Sequence, residues 1–303
     1  MRRRSVSSAA RVPSQLGRVL KPGREAPREM QQVHDHDAPA FSVVMPAFNA
    51  EATIDEAIAS VVAQTWTTWE LVIVDDGSTD GTRAAAESWA ATDSRLTVIH
   101  QQNAGPAAAR GAGVAAGSAP LLVRLDADDV LLPHCLATYA RFIEKDGTHD
   151  IYSCNGEVFD ESGARSRYYG SERFRSTTEL TLEEMLEANL ILGPAAVCTR
   201  EVYLRTGGMR PGVYVEDYDF WLRALAAGAR HAYLPEVLVR YRRHRGQMTT
   251  DIGRILESVA ETLEHLASGG ALDARLAAKA HASALGYSAA ARRATGPPHA
   301  ADA

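Results

Sequence analysis

Five short stretches of this chain carry side chains able to do chemistry. LDADD (125–129) ends an apolar run with Asp126 and Asp128 two residues apart and Asp129 beside them. On extended backbone alternate side chains point the same way, so both carboxylates would face one point. Hard divalent cations prefer such oxygens, and Mg²⁺ leaves coordination sites to substrate phosphates. Standing alone, a D-x-D pair reads equally as a solvated acidic turn. VDDGSTDGT (74–82) closes a second apolar run with Asp75 and Asp76, where a carboxylate can accept from a base N–H or ribose hydroxyls. The Gly, Ser and Thr residues after it suit a plain capped turn just as well.

NAGPAAARGAG (103–113) opens a helix with small residues and one cation, Arg110. Small side chains let a ligand approach a helix N-terminus, which favours negative charge; close helix packing is the alternative. Glu216 and Asp217 open another helix, whose dipole favours their charged form. That suits a general base and equally a simple cap. YRRHRGQMT (241–249) gathers arginines around His244, complementary to phosphate, with an imidazole that can join a metal's ligands.

The elements that must position these residues follow from hydrophobic spacing. Residues 41–45, 69–75, 95–100 and 120–126 are short, nearly continuous apolar runs, as expected of strands covered on both faces. Pro46 is expected to end the first ladder. Helical spacing follows Thr53, where Thr53 and Glu56 form a T-x-x-E capping box; further helices are predicted from Asp80 to Trp89 and over 105–117. Alternating strands and helices predict an α/β fold with a Rossmann-like, mostly parallel sheet flanked by helices. In such sheets ligands bind beyond the carboxyl ends of the strands, where Asn49, Asp75, Asp76, Asp126 and Asp128 fall.

The second half is less regular. Helices are predicted over 133–145 and 216–228, strands over 150–160, 195–199 and 236–244, a capping box at Thr181 and Glu184, and a polar, mobile stretch over 161–178. The first 39 residues, rich in Arg, Ser and Pro, are expected to be disordered, and 251–303 to form an Ala-rich helical extension with a flexible tail.

With 303 residues, 46% of them hydrophobic, the chain can bury a large core, and a net charge of −6 argues against a nucleic-acid partner. Cys135, Cys154 and Cys198 form no CxxC pair and read as buried thiols. No apolar stretch has the length of a membrane span and none follows Met1 as a secretory signal would. A cytoplasmic protein, with peripheral association at the inner membrane face open to it, is the expectation.

SVVMPAFN, QTWTTWELVIVDDGSTDGT, NAGPAAARGAG, LDADD, GGMRPGVYVEDYDFWLR and YRRH occur in that order. In this ordered set, from about Phe41 to about Thr250, the chain resembles the family 2 glycosyltransferases. The resemblance implies a GT-A domain over 40–250, with a nucleotide-sugar half (40–130) and an acceptor half (131–250). It implies inverting transfer of a sugar from a nucleotide-diphospho-sugar to an acceptor hydroxyl, in cell-surface polysaccharide or glycoconjugate synthesis. Pro46, Ala47 and Phe48 would border the base, Asp75 would bind it, and Asp76 and Arg110 would lie at the nucleotide. Asp126 and Asp128 would hold Mg²⁺ or Mn²⁺, His244 would reach the metal or diphosphate, and Asp217 would be the catalytic base. UDP is favoured over GDP and dTDP, and glycan, lipid-linked and protein acceptors stay open. Processive synthases of this family add membrane helices and a Q-x-x-R-W motif; here the corresponding helix reads FWLRA. A non-catalytic nucleotide-sugar or glycan-binding protein of the same fold is the alternative.

Overall fold

A computed structural model describes residues 38–160, 162–163, 165–167, 179–244 and 246–295. The tail expected to be disordered lies outside these residues up to position 37, as does most of the polar stretch at 161–178.

The apolar runs form strands β1 (Phe41–Ala47), β2 (Trp69–Asp75), β3 (Leu96–His100) and β4 (Leu121–Arg124), joined by helices α1 (Ile54–Val62), α2 (Thr82–Ala90) and α3 (Pro106–Ala116). All neighbours in the order β3-β2-β1-β4 are parallel. One face of β1 packs Phe41, Val43 and Met45 against Ile54, Ala57, Ile58 and Val61 of α1. The other face turns Val44 toward α3, where a Cβ on Gly113 would lie 2.5 Å from Val44 Cγ1. Both faces are thus covered, which is why these strands read as unbroken apolar runs.

Beyond β4 the sheet becomes mixed. Strands β5 (Val130–Leu131), β6 (Ile151–Asp160), β7 (Arg165–Arg167), β8 (Val197–Thr199) and β9 (His231–Arg243) extend it to nine strands among the described residues. The path runs β4-β8-β6-β9-β5, with β8 antiparallel to β4 and β9 parallel to β6. Helices α4 (Cys135–Asp146), α5 (Leu182–Met185), α6 (Arg200–Arg205) and α7 (Glu216–Ala226) pack around this half. The hairpin of α8 (Ile252–Ser268) and α9 (Ala274–Thr295) follows. Helix α7 buries Tyr218, Phe220, Trp221 and Leu222 in a cluster shared with Val259 and Leu263 of α8 and Ala280 of α9.

Three local expectations are corrected. Pro46 does not end β1, since it pairs with Val74. Leu125 N–H already donates to Val44 O, and on a strand alternate residues face the same neighbour. The nitrogen of Pro46 therefore points where β4 has stopped, and no ladder donor is lost. Thr53 and Glu56 form no capping box: Thr53 Oγ1 donates to Ala50 O and Glu56 accepts from Arg242. The fourth strand stops at Arg124, short of Asp126. The Thr181–Glu184 capping box forms as expected. All three cysteines are buried free thiols, and burial pushes Cys154 and Cys198 to about 12. Among the described residues, no helix is long and apolar enough to cross a membrane.

Candidate active site

The C-terminal edge of β1 and β2 is built from two interlocked turns. Pro46 and Ala47 close β1, and Phe48 beyond them is 51% exposed. Asn49 holds φ 50, its N–H donating to Ser78 Oγ at 3.0 Å and its side chain accepting from Thr79 N at 2.9 Å. Asp75 and Asp76 are buried. Asp75 Oδ1 accepts from Ser78 N at 3.1 Å, and its Oδ2 lies 3.3 Å from Nδ1 of His100, whose Nε2 is 2.9 Å from Glu87. Asp76 accepts from Gln101 Nε2 at 2.7 Å, Ala104 N at 2.9 Å and Gly105 N at 2.8 Å, fixing the entry to α3.

At the end of β4 lies a part-buried lattice of arginines and acids. Arg110, on α3, donates from Nη1 to Glu216 and from Nη2 to Asp126 Oδ1. Arg124, the last residue of β4, donates from Nη1 to Asp217 Oδ2 at 2.7 Å and from Nη2 to Asp126 Oδ2 at 3.2 Å. The same Nη2 lies 3.7 Å from Glu216. Asp217 Oδ1 accepts from Tyr218 N at 2.7 Å, as befits the first turn of α7. Burial alone would raise the Asp126 pKa; Arg124 and Arg110 outweigh it and hold the carboxyl at about 2. Burial likewise opposes the charge on Arg124, but Asp126, Asp217 and Glu216 raise its pKa.

Arg124 is held from above as well. Its carbonyl accepts from Ala195 N at 2.8 Å, where Ala195 takes a left-handed φ of 62 and its own carbonyl accepts from Tyr139 Oη at 2.8 Å.

Past Arg124 the chain turns instead of staying extended: Asp129 N–H donates to Asp126 O at 3.1 Å. The two carboxylates of D-x-D therefore part company. Asp126 faces the arginines, while Asp128 Oδ2 meets His244 Nε2 at 3.0 Å and Gln247 Nε2 at 3.4 Å. Arg242 secures this turn, donating from Nε to Asp128 O at 2.8 Å and from Nη2 to Glu56, and lying over the Phe159 ring. Asp129 is fully buried and accepts from Arg242 N at 2.9 Å. Burial and the charges of Asp128 and Asp126 push its carboxyl well above the usual range.

The expected residues thus fall into three groups at the C-terminal edge of β1, β2 and β4. Pro46, Ala47, Phe48, Asp75 and Asp76 form one; in the second Arg110 pairs with Asp126, to which Asp217 is joined through Arg124; Asp128 and His244 form the third. Arg110 is buried behind the acids, not displayed toward open space. Among the described residues no set of three His, Cys, Asp or Glu side chains is placed to hold a metal. Asp128 and His244 offer an oxygen and a nitrogen donor side by side, and an Mg²⁺-type site takes only one or two carboxylates besides phosphates and water. Sequence reasoning missed Arg124 and His100, gave Gln247 no role, and took Arg242 for a phosphate partner where it holds Asp128, Asp129 and Glu56. Arg124 had a signal, because a lone cation inside the apolar run PLLVRLD is rarely buried without a partner.

The fold and the sequence are both similar to those of known proteins. S. aureus TarS in complex with UDP-GlcNAc superposes with a TM-score of 0.69 at 21% identity, over 84% of this chain and 74% of that one. The mannosyltransferase PcManGT from Pyrobaculum calidifontis, in complex with GDP-Man and Mn²⁺, gives a TM-score of 0.65 at 21% identity, over 86% of this chain and 76% of that one. These establish the GT-A fold. Succinoglycan biosynthesis protein ExoU of Rhizobium meliloti is 33% identical over 202 residues, 62% of this chain and 58% of the relative. The family model described as Glycosyl transferase family 2 matches residues 42–206. The chain belongs to glycosyl transferase family 2 and is a glycosyltransferase.

Proposed function

We propose that the chain moves a sugar from a nucleotide-diphospho-sugar to an acceptor hydroxyl with inversion, Asp217 acting as the base. The observation that carries this reading is the span of Arg124, which joins Asp217 on α7 to Asp126 of the D-x-D turn. The base and the donor-side acid lie on opposite prongs of one guanidinium. In the transfer, the acceptor oxygen attacks the anomeric carbon as its proton passes to the Asp217 carboxylate. The bond from that carbon to the diphosphate oxygen breaks, and the nucleoside diphosphate leaves with the electron pair. General-base help of this kind contributes roughly 10²–10⁴-fold.

On the donor side, Phe48 is exposed just beyond β1 and suited to stacking on a base, while Asp75 lies buried at the end of the neighbouring β2, where a carboxylate oxygen has a second lone pair left to accept from the base. Asp76 and Arg110 act beneath the nucleotide, the first by shaping the loop into α3 and the second by holding Asp126. Asp128 and His244 would supply the protein's share of an Mg²⁺ or Mn²⁺ site, and the ion would neutralise charge on the leaving diphosphate. The 40–130 half then serves the donor and the 131–250 half the acceptor. A UDP-sugar is the favoured donor, supported by the UDP-GlcNAc held by TarS, and polysaccharide assembly the favoured setting, supported by ExoU.

The test is Asp217→Asn. Transfer should fall by roughly 10²–10⁴-fold while UDP-sugar binding persists; normal turnover would remove the base assignment. A thermal-shift panel of UDP-, GDP- and dTDP-sugars with and without Mn²⁺ names the donor, because a ligand of the native state raises its apparent stability.

A further inference from the structure

We infer that Arg124 is a positioning residue that sets the aim of Asp217, in a slot kept open by the missing side chain of Gly193; this rests on Asp217 being the base. Among the described residues Arg124 is the cation paired with Asp217, at 2.7 Å from Nη1 to Oδ2. Asp126 is different, since Arg110 donates to its other oxygen. Removing the Arg124 guanidinium therefore leaves the donor-side acid with a partner and the base without one. Among the described residues Asp217 then keeps the Tyr218 N–H on Oδ1, a contact within its own helical turn that does not fix the carboxylate against the rest of the site.

The guanidinium has little freedom. The Arg124 backbone is pinned to one neighbouring segment, its N–H donating to Ala196 O at 3.0 Å and its carbonyl accepting from Ala195 N at 2.8 Å. Above it, a Cβ built on Gly193 would lie 2.5 Å from Arg124 Nη1 and 3.1 Å from Asp217 Oδ2. A single methyl group at 193 would occupy the space of the ion pair, while changing no charge. Near-attack geometry is sensitive on this scale: a displacement of about 1 Å can cost about 10²-fold in rate.

The experiment measures UDP release from UDP-GlcNAc and UDP-glucose with Mn²⁺, carrying forward the donor turned over faster by the native chain. Arg124→Gln should lower kcat by about 10²-fold with donor KM within about threefold, and Arg124→Lys should restore part of the loss. In the double variant with Asp217→Asn, activity should fall no further than in Asp217→Asn alone, because groups acting as one unit are not additive. Gly193→Ala should lower kcat roughly tenfold at unchanged donor KM, and it decides the matter should Arg124→Gln fail to fold. Native kcat in Gly193→Ala or Arg124→Gln, a loss confined to KM, or additive losses in the double variant would each overturn the role of Arg124. Full activity in Asp217→Asn would instead overturn the base assignment beneath it.

Discussion

His244 Nε2 lies 3.0 Å from Asp128 Oδ2, across 116 positions of sequence. Arg242 and Gln247 hold the two backbones in that relation, through the Asp128 carbonyl and side chain respectively. If this pair is the protein's share of the metal site, His244→Ala should raise the Mn²⁺ concentration needed for half-maximal activity by about tenfold or more. Asp128→Asn should raise it further, since a charged oxygen is lost. Titrating Mn²⁺ into chelator-treated enzyme measures both; an unchanged requirement would take the metal elsewhere.

Asp76 accepts three hydrogen bonds from the segment entering α3. Asp76→Ala leaves these donors to water, because Gln101 and Gly105 are half-buried and Ala104 is exposed, so the three together should cost about 1–3 kcal/mol. Urea denaturation should show a loss at the lower end of that range, with donor KM raised because the loop beside the nucleotide is no longer pinned. A stability loss without any change in KM would confine Asp76 to a scaffold role.

Two glycines of α3 should respond with opposite signs. A Cβ on Gly113 meets Val44 Cγ1 at 2.5 Å, whereas nothing lies within 4 Å of one on Gly111. Gly111→Ala should stabilise by up to about 1 kcal/mol through helix propensity. Gly113→Ala should lose about 1–3 kcal/mol to overpacking, less that same propensity gain. Thermal or urea unfolding of the two variants checks the contrast.

His231 is buried between Ser153 and Leu180, its Nε2 2.8 Å from Ser153 Oγ and its Nδ1 accepting from Leu180 N at 3.2 Å. Burial, helped by nearby His149, lowers its pKa from 6.5 to about 3. The unfolded chain therefore binds the proton more readily, so this contribution to stability is complete above pH 6.5 and is lost as pH falls toward about 3. Between those limits His231 should add about 1.4 kcal/mol per pH unit to the slope of unfolding free energy against pH. His231→Gln should flatten that slope between pH 6 and about 4.5, read by chemical denaturation at each pH.

Much of the region from β1 to β4 was legible because its signals are local. WELVIVD has the same bounds as β2, and the Ala/Gly run at 105–117 forms α3 within one residue at each end. Where tertiary partners compete with local ones, local rules failed. Glu56 leaves its capping box for Arg242, contributed by β9. The D-x-D carboxylates do not share a target, because Asp129 turns the backbone at Asp126 and Arg110 reaches across from α3. The order of motifs pointed to the family and, through it, to the acids proposed for the site. That Asp217 would stand one guanidinium away from Asp126 depends on α7 docking over β4, which no window of sequence contains.

The pairing of β4 with β8 has a consequence for biogenesis. During translation the segments of β1 to β4 emerge first and can zip into β3-β2-β1-β4 from their own residues. Leu121, Leu122 and Val123 must then wait for Val197, Cys198 and Thr199 before the outer side of β4 is occupied. A bare, apolar strand edge is a template for pairing with other chains. Nascent chains stalled in this interval, or fragments truncated within it, should accumulate in the insoluble fraction and depend on chaperones, while chains extended past β8 escape that hazard.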